Sequence, residues 1–597
     1  MGTIAIALGA FVLYFVAYHT YGKWLSQKLF KLDKDNTAPS ITYADGVDYV
    51  ATDKKIVFGH HFTSIAGTGP IVGPAVAVIW GWVPALLWVL FGSILIGAVH
   101  DFGALVISLR NKGQTVGDIA GRVITRRTRI LFLGVLFLAV TIVLAIFGLV
   151  IAAVFKMYPQ SIFPCLIQIP LAVIVGVLIN RRGLKIFLPS IIVLGVMLLS
   201  VYFGNAGLLH DFNSSLASWE IIKWCAVLLG YCAIASILPV WSLLQPRDYI
   251  NSLQLFFTLG LVIIGLIVTA CIGGVPNSGE TSRASLEIVA PAIQMAPEGA
   301  PNFFPFLFIT IACGAISGFH CLVSSGTSSK QIQCETDAQF IGYGGMLTEG
   351  LLAVLVILAC VAGLGLGTTV GSDFFTGEAA FAARYDSWNA ASGLAAKIGA
   401  FVDGSANFLK ALGISAEFAV ALMGVFVASF ASTTLDTACR LQRYVIQELS
   451  ATIAPKPSKG NPLRLLQNRY GATIFAVIIA YWIARMPDVA GGTPGKGGLI
   501  LWPLFGAINQ LLAGISFLVI TFWLRRRSLP YRLALVPGII MLILPAIAML
   551  LNIQNFIKQE NWLLLGIGIT TLVIEAWIIL EAASIWKATN GCSEAPE

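Results

Sequence analysis

The sequence predicts an all-α polytopic membrane protein, on three observations. Of its 597 residues, 57% are hydrophobic and 11% are charged, whereas soluble domains carry about 25% charged residues. The mean hydropathy is +0.85. Apolar runs of about 20 residues, the length that crosses a bilayer, recur along the whole chain. A soluble fold would have to bury nearly every residue, so that class is excluded.

The apolar runs predict about 15 transmembrane helices. In chain order they lie at about 3–22, 60–80, 84–109, 130–154, 164–180, 187–204, 222–244, 252–273, 302–325, 340–366, 415–438, 470–486, 498–523, 533–551 and 561–586. Lys and Arg prefer cytoplasmic loops, and the loops after the odd-numbered spans hold nearly all of them. The alternation predicts an outside N-terminus and a cytoplasmic C-terminus. It also accounts for the net charge of +8 without a nucleic-acid partner.

Two short segments indicate an inverted repeat. GPIVG (69–73) and GAISG (314–318) both read Gly-x-Ile-x-Gly, and they lie in the second and ninth predicted helices, seven positions apart, so they cross the membrane in opposite directions. One acid follows each segment at a similar distance, Asp101 in the first case and Glu349 in the second. The repeat divides the chain into 1–59 (N-terminal helix and cytoplasmic loop), 60–221 (first repeat), 222–301 (additional helices and an extracellular loop), 302–524 (second repeat) and 525–597 (peripheral helices and a short cytoplasmic tail).

The longest predicted segment outside the membrane is 367–414, which contains Asp373, Glu378, Arg384, Asp386 and Trp388. Its charged residues and glycines favour a long extracellular loop over an extracellular lid. No soluble catalytic domain is predicted anywhere in the chain.

The stretch FGHHFTSIAGTGPIVGP (58–74) predicts a broken membrane helix. Gly and Pro interrupt a helix and expose backbone groups, which the membrane tolerates only where the break is buried in protein or lines a cavity. There a half-helix N-terminus can hold a carboxylate and unwound carbonyls can hold a cation. Close helix packing by the glycines is the alternative, and the two prolines disfavour it. The predicted substrate-binding residues are Gly67, Thr68, Gly69, Pro70, Gly73, Gly314, Ser317 and Gly318.

Ionisable residues inside a membrane are costly, so they are candidates for function, and histidine titrates near neutral pH. Each single histidine could instead be a structural residue with satisfied hydrogen bonds. The residues predicted to carry or gate protons are His60, His61, His100, Asp101, His320, Glu349 and Asp436.

Two further polar segments have open interpretations. The hydroxyls of Ser429, Ser432, Thr433 and Thr434 could be oxygen ligands for a small cation, or could bond to the preceding helical turn. Arg247 could bind a substrate carboxylate at an inner gate, or could pair with Asp248 as a structural cap. No metal site and no cofactor other than a coupling proton or sodium ion is predicted, since the ten cysteines are scattered and no HExxH motif is present.

Three stretches, FGHHFTSIAGTGPIVGP, AVHDFGALVISLRNKGQTVGDIAGRVI and LPVWSLLQPRDYIN, closely resemble the carbon starvation protein A (CstA) family of bacterial transporters. The resemblance covers essentially the whole chain. It implies proton-driven import of peptides or pyruvate across the bacterial inner membrane during nutrient shortage. It also implies kinship with the amino acid–polyamine–organocation superfamily, whose LeuT-like core often has a sodium site where 429–434 falls. The spans predicted at 222–244 and 252–273 are extra to that core.

We therefore expect a non-enzyme, a secondary active transporter for small carboxylate-bearing nutrients. A sodium-coupled carrier and a nutrient-sensing receptor without flux are the alternatives. An intramembrane metalloenzyme, suggested by His60, His61, His100 and Asp101, fails because no ligand set lies on one helix face. Peptide and pyruvate share a carboxylate, so the sequence leaves the choice between them open, as it does the oligomeric state.

Overall fold

The computed structural model describes residues 2–276, 283–455, 461–487, 495, 497–589 and 591. The predicted cytoplasmic tail beyond 591 therefore lies outside the described residues, as do parts of two predicted loops. The chain is 78% helical, and the described strands are the three-residue β1 (Thr368–Val370) and β2 (Asp373–Phe375), which pair antiparallel. The protein is thus an all-α, multi-pass membrane protein, as the composition predicts.

The helices follow one another through the whole chain. In the first half they are α1 Gly2–Leu29, α2 Pro39–Thr42, α3 Lys54–Ala66, α4 Gly69–Trp80, α5 Trp82–Leu109, α6 Val116–Val123, α7 Arg126–Met157, α8 Pro159–Arg182, α9 Phe187–Tyr202, α10 Gly207–Ala217, α11 Ile221–Ile237 and α12 Leu244–Ile272. In the second half they are α13 Phe303–Thr310, α14 Phe319–Gly326, α15 Glu335–Leu366, α16 Gly377–Tyr385, α17 Trp388–Ser392, α18 Leu394–Lys410, α19 Ala416–Ile453, α20 Leu463–Gln467, α21 Arg469–Arg485, α22 Gly497–Ile500, α23 Trp502–Arg526, α24 Arg532–Lys558 and α25 Trp562–Ile585.

Ten of the described helices are long and apolar enough to cross a membrane, and the number rises to 12 if each of two bent pairs counts as one span. The bent pairs are α3 with α4 and α9 with α10. The other three predicted spans correspond to the 17-residue helices α11 and α21 and to the interrupted pair α13 and α14. Helix length alone therefore supports fewer spans than the predicted number of about 15, which also requires these three shorter elements to cross the membrane.

Two boundaries differ from the prediction. The predicted span 222–244 ends early, since α11 stops at Ile237, two residues before Pro239, and a residue preceding proline avoids helical geometry. The predicted span 252–273 begins early, since α12 starts at Leu244. Arg247 and Asp248 consequently lie in the first turns of a membrane helix and are buried.

The segment 367–414 is not the predicted long loop. After the small hairpin it folds into α16, α17 and α18, and the 17-residue α18 packs against α4, α12 and α19. Lys397 and Asp403 lower the hydropathy of this segment, which hid the helix. Its apolar face, including Phe401 and Phe408, is buried.

The first predicted break is shorter than expected. Gly67 has φ +38° and ψ −148°, a conformation that favours glycine, and α3 and α4 meet there at a bend of 42°. The non-helical part is confined to Gly67 and Thr68, so the prediction of a break through Pro74 is wrong. Pro70 lies in the first turn of α4, where a missing N–H costs little, and Pro74 follows within the same helix.

The second break is longer, because residues 311–318 between α13 and α14 are not helical. The two breaks cross at close range. A Cβ on Gly69 would overlap the Cys313 side chain, and one on Gly73 would lie 2.6 Å from the Thr310 carbonyl oxygen. Packing around the crossing is reciprocal, since α5 packs against α14 and α15 packs against α4. Two copies related by a two-fold axis would pack this way, although the repeat itself and the five-part division stay predictions.

Candidate functional site

A cavity of about 700 Å³ lies beside the crossing of the two breaks. Its walls include Thr68 and Gly69 of the first break and Cys313 of the second. At its other end it reaches exposed residues at the end of α24, Asn555 and Gln559. Its volume is in the usual range for small-molecule sites, roughly 300–1,000 Å³. We therefore treat it as the candidate ligand site.

The predicted substrate residues distribute unequally around this cavity. Thr68, Gly69 and Gly73 line it, whereas Gly314, Ser317 and Gly318 do not. Gly67 lies against Phe147 and Thr434, and Pro70 lies against Gly314. The lining residues that the sequence analysis did not predict as substrate-binding include Thr310, Cys313, Trp388, Lys397 and Trp502.

The backbone amides of the second break are already bound within the protein. The Gly314 amide donates to Glu349 Oε1 at 3.0 Å. The Gly318 amide donates to the Asn509 carbonyl at 3.0 Å, and the Phe319 amide donates to Asn509 Oδ1 at 2.9 Å. Asn509 was not predicted, although a buried amide pair, Asn509 and Gln510, in an apolar span was a usable signal. Of the predicted substrate-binding residues, Gly314 and Gly318 thus donate their amides to groups of the protein itself.

Four of the predicted proton-carrying residues form one buried group, which we call the Asp101 cluster: His100, Asp101, His320 and Glu349. The Nδ1 atoms of His100 and His320 each lie 2.8 Å from a carboxylate oxygen of Asp101. His320 Nε2 lies 3.4 Å from Glu349 Oε2. All four side chains are buried, and no described arginine or lysine forms an ion pair with them.

Several polar atoms of this cluster have no hydrogen-bond partner among the described residues. They are His100 Nε2, His320 Nε2 and Glu349 Oε2. A ligand atom of Cys313 lies within 4.8 Å of one on His320 and one on Glu349, so these three side chains offer sulfur, nitrogen and oxygen to an ion. The sequence analysis did not predict this set, since the three residues are far apart in the chain.

Asp436 belongs to a separate group, which we call the Arg247 clamp: His60, Tyr231, Arg247, Asp248 and Asp436. Arg247 forms a two-pronged ion pair with Asp436 and also contacts Asp248 at 3.2 Å. The Tyr231 hydroxyl donates to Asp436 Oδ2 at 3.0 Å, and His60 Nδ1 lies 2.6 Å from Asp248 Oδ2. Six of the seven predicted proton-carrying residues therefore divide between these two groups.

His61 belongs to neither group. Its Nδ1 lies 2.9 Å from Ser328 Oγ, while its Nε2 is buried without a hydrogen-bond partner among the described residues. A Cβ on Gly345 would lie 2.9 Å from the imidazole ring. The adjacent histidines of α3 thus have different surroundings. His60 belongs to the Arg247 clamp, and His61 lies against Ser328 and Gly345.

The four predicted hydroxyl ligands separate into two kinds. Thr434 lies 3.2 Å from the Ser64 carbonyl and 3.4 Å from that of Thr63. Thr433 lies 3.2 Å from the Thr63 carbonyl, and nearer still to the Phe430 and Ser429 carbonyls of its own helix, at 2.9 and 3.1 Å. Ser432 donates to Ala428 of its own helix, and Ser429 donates to Gln254. The threonines therefore meet the C-terminal carbonyls of α3, and the serines do not.

Ion pairs also connect the loop before α3 with the C-terminal half of α19. Asp48 contacts Arg440 at 2.5 Å and Arg443 at 3.3 Å. Burial alone would raise the pKa of Asp48, but the charges of Arg440, Arg443 and Lys330 lower it to about 2. The Lys330 ammonium lies 3.9 Å from the Tyr444 ring centre. These pairs close the molecule on the predicted cytoplasmic side.

The sequence profile of the family described as Carbon starvation protein CstA matches residues 2–549. The peptide transporter CstA of Campylobacter jejuni is 31% identical over 563 residues, which cover 87% of this chain and 76% of that protein. The peptide transporter CstA of Escherichia coli is 32% identical over 584 residues, covering 89% and 78%.

The pyruvate/proton symporter BtsT of Escherichia coli is 31% identical over 565 residues, covering 86% of this chain and 76% of that protein. A crystal structure of a manganese transporter mutant from Eremococcus coleocola matches with a TM-score of 0.42 and 13% identity, over 91% of this chain and 99% of that one. On the family match and these sequence relatives, whose names are those of transporters and not of enzymes, the chain belongs to the carbon starvation protein CstA family.

Proposed function

We propose that this protein is a proton-coupled secondary active transporter that imports small carboxylate-bearing nutrients, peptides or pyruvate, across the bacterial inner membrane. The observation that carries the proposal is the crossing of two interrupted helices, with a cavity on one side and the Asp101 cluster on the other. The names of the relatives, peptide transporter and pyruvate/proton symporter, support the substrate class. The family description supports a role in carbon starvation.

Glu349 links the proton site to the substrate site. Its carboxylate accepts the Gly314 amide of the second break, and Cys313, the preceding residue, lines the cavity. A hydrogen bond to an ionised carboxylate is about twice as strong as one to a neutral acid. Protonation of Glu349 would loosen this bond and bias the geometry of the break. Substrate and proton would then favour the same conformation, which coupling requires.

The arrangement supports an outward-open state in the predicted orientation. The exposed end of the cavity is formed by the ends of helices that meet predicted outside loops, such as Trp388 and Asn561. The opposite side is closed by the Arg247 clamp and by the ion pairs of Asp48. Inward opening would require these ion pairs to separate, as in alternating access.

Sodium coupling is the second candidate, because the hydroxyls of Thr433 and Thr434 lie next to the carbonyls of Thr63 and Ser64. These are oxygen groups of the kind that bind hard cations. The Asp101 cluster, which has two acids and two histidines, favours protons.

The decisive experiment is uptake into proteoliposomes. Labelled pyruvate and a labelled dipeptide are offered separately, under an imposed pH gradient or an imposed sodium gradient. We expect uphill uptake under the pH gradient alone. Uptake that follows only the sodium gradient would replace protons by sodium, and binding without flux under either gradient would indicate a receptor.

A further inference from the structure

Lys397 is a buried lysine whose side chain faces the cavity. It lies in α18, is 6% exposed, and lines the cavity together with Thr68 and Gly69 of the first break. Its ammonium lies 5.0 Å from the centre of the Trp502 ring. No described residue forms an ion pair or a side-chain hydrogen bond with it.

Three other buried cations of the described chain, Arg247, Arg440 and Arg443, have acidic partners. Arg247 pairs with Asp436 and Asp248, and Arg440 pairs with Asp48. Of the rest, Arg525 donates to the Trp586 carbonyl and Lys330 lies over the Tyr444 ring. A buried charge without a partner is costly, and burial accordingly lowers the pKa of Lys397 to about 8, in a helix that is not among the candidate spans. No described acid is placed to balance the Lys397 ammonium.

The remaining chemistry of the cavity points to one class of ligand. None of the described residues that line it is acidic, and its polar side chains include the amides of Asn552, Asn555, Gln559 and Asn561. The N-terminus of α4, which is the positive end of that helix, lines the same space. The indole rings of Trp388 and Trp502 supply apolar surface. This combination suits an anion with a small organic body.

We propose that the cavity is a site for small monocarboxylates, in which the Lys397 ammonium binds the carboxylate and Trp502 packs against the organic part of the ligand. The inference rests on the proposed function, since it takes the cavity as the substrate's position. A zwitterionic peptide fits less well, because its ammonium finds no carboxylate among the described lining residues and meets the charge of Lys397. The second break contributes little, because Glu349 and Asn509 already occupy its amides.

Three probes test the ligand class on purified full-length protein in detergent, with binding measured by calorimetry. Pyruvate and N-acetylalanine are monoanions, and alanylalanine is a zwitterion. For the unmodified protein we expect binding of both monoanions, with alanylalanine at least tenfold weaker. Tighter binding of alanylalanine than of either monoanion, or no binding of any probe, would overturn the proposal.

The residue is tested by Lys397→Gln and Lys397→Met, with Lys397→Arg as the charge-conserving variant. The matched control is Lys410→Gln on the same helix, whose lysine lies near Asp403 in a different pocket. We expect the Kd for both monoanions to rise at least tenfold in the Gln and Met variants, which is the usual weight of a charge-assisted hydrogen bond. We expect a rise of under threefold for Lys397→Arg and no change for Lys410→Gln.

Two kinds of failure are distinguishable. If Lys397→Gln or Lys397→Met elutes as a single folded species and binds both monoanions with unchanged Kd, the assignment of Lys397 is wrong even where transport persists. If binding depends on Lys397 but labelled pyruvate never accumulates in proteoliposomes under either gradient, the monocarboxylate site stands and the proposed transport does not.

Discussion

The Asp101 cluster and the Arg247 clamp contain similar groups but differ in how they are paired. Each has two carboxylates in a fully buried setting. The clamp includes a permanent cation, and Arg247 contacts both of its acids while His60 and Tyr231 complete their hydrogen bonds. In the Asp101 cluster the only described partners of the two acids that can become positive are the two histidines.

This difference has a physical consequence for charge. An arginine keeps its charge at any physiological pH, so the clamp always holds one fixed cation between its two carboxylates, and His60 lies beside Asp248 as the group that can supply a second positive charge. The Asp101 cluster can adjust its net charge only by gaining or losing a proton, or by binding an ion. Its unpartnered atoms, His320 Nε2 and Glu349 Oε2 among them, leave room for that change. The clamp is therefore suited to holding a conformation and the cluster to sensing protons.

The largest effect is expected from Asp436→Asn, which removes the main partner of Arg247. An uncompensated buried charge typically costs about 3–5 kcal/mol. We expect most of the folded protein to be lost, measured as the monodisperse fraction in detergent and as its melting temperature. The double variant Arg247→Gln with Asp436→Asn should recover part of the loss, because Arg247 and Asp436 are then both neutral and Asp248 keeps His60 as its partner. A stable Asp436→Asn with unchanged melting temperature would mean that the clamp does not hold the fold.

The next effect concerns coupling. Asp101→Asn keeps the shape of the side chain but removes the carboxylate between the two histidines. We expect uphill uptake to fall to background, since the cluster can no longer exchange the proton. Exchange of labelled for unlabelled substrate across the membrane should persist, because it requires no net proton movement. Glu349→Gln is expected to behave in the same way.

The matched control for both variants is Glu575→Gln, which neutralises a buried acid on α25, away from either cluster. It should accumulate substrate normally. Normal accumulation by both Asp101→Asn and Glu349→Gln would remove the proposed role of the cluster. Loss of exchange together with uphill uptake would instead indicate a role in binding or folding.

The sequence predicted the helices, the two breaks and the intramembrane acids, because apolar runs, Gly and Pro interruptions and isolated charges are local signals. It did not predict which acid meets which cation. Asp436 and His60 were placed in one proton set with Asp101, whereas their partners Arg247 and Asp248 lie nearly 190 residues away in the chain. Tertiary pairing of this kind leaves no local pattern in a single sequence.

For Lys397 the sequence misled in a different way, because a residue of a buried helix was assigned to a loop. Its charge lowered the hydropathy of 394–410 and made a buried helix resemble an extracellular loop. The length of the first break was overestimated for a related reason, since Pro70 was read as a helix breaker although the first turn of a helix accepts proline. The effect of a proline or a lysine depends on where it lies within a helix, and only the structure gives that position.

A moderate effect is expected from Gly69→Ala at the crossing that links the cavity to the Asp101 cluster. The added Cβ would overlap Cys313, and overpacking of a tight contact costs about 1–3 kcal/mol. We expect a lower melting temperature and slower uptake. Gly134→Ala in α7 is the matched control, because nothing lies within 4 Å of a Cβ at that position. Equal melting temperatures and uptake rates for the two variants would show that the crossing is not tight in the membrane.

The smallest effect is expected from the double variant Thr433→Val with Thr434→Val, and it decides whether the Asp101 cluster acts alone. Both hydroxyls meet the Thr63 carbonyl, so their loss should cost only about 1 kcal/mol per hydrogen bond. If protons drive transport, uptake under a pH gradient should change by no more than about twofold, a factor equivalent to a fraction of a kcal/mol. Ser432→Ala, whose hydroxyl bonds only to Ala428, controls for loss of a hydroxyl on the same helix. If the threonine variant loses uptake and high sodium restores it, sodium is the coupling ion and the carbonyls of α3 bind it. The atoms of the Asp101 cluster that have no hydrogen bond would then take part in conformational change instead of ion binding.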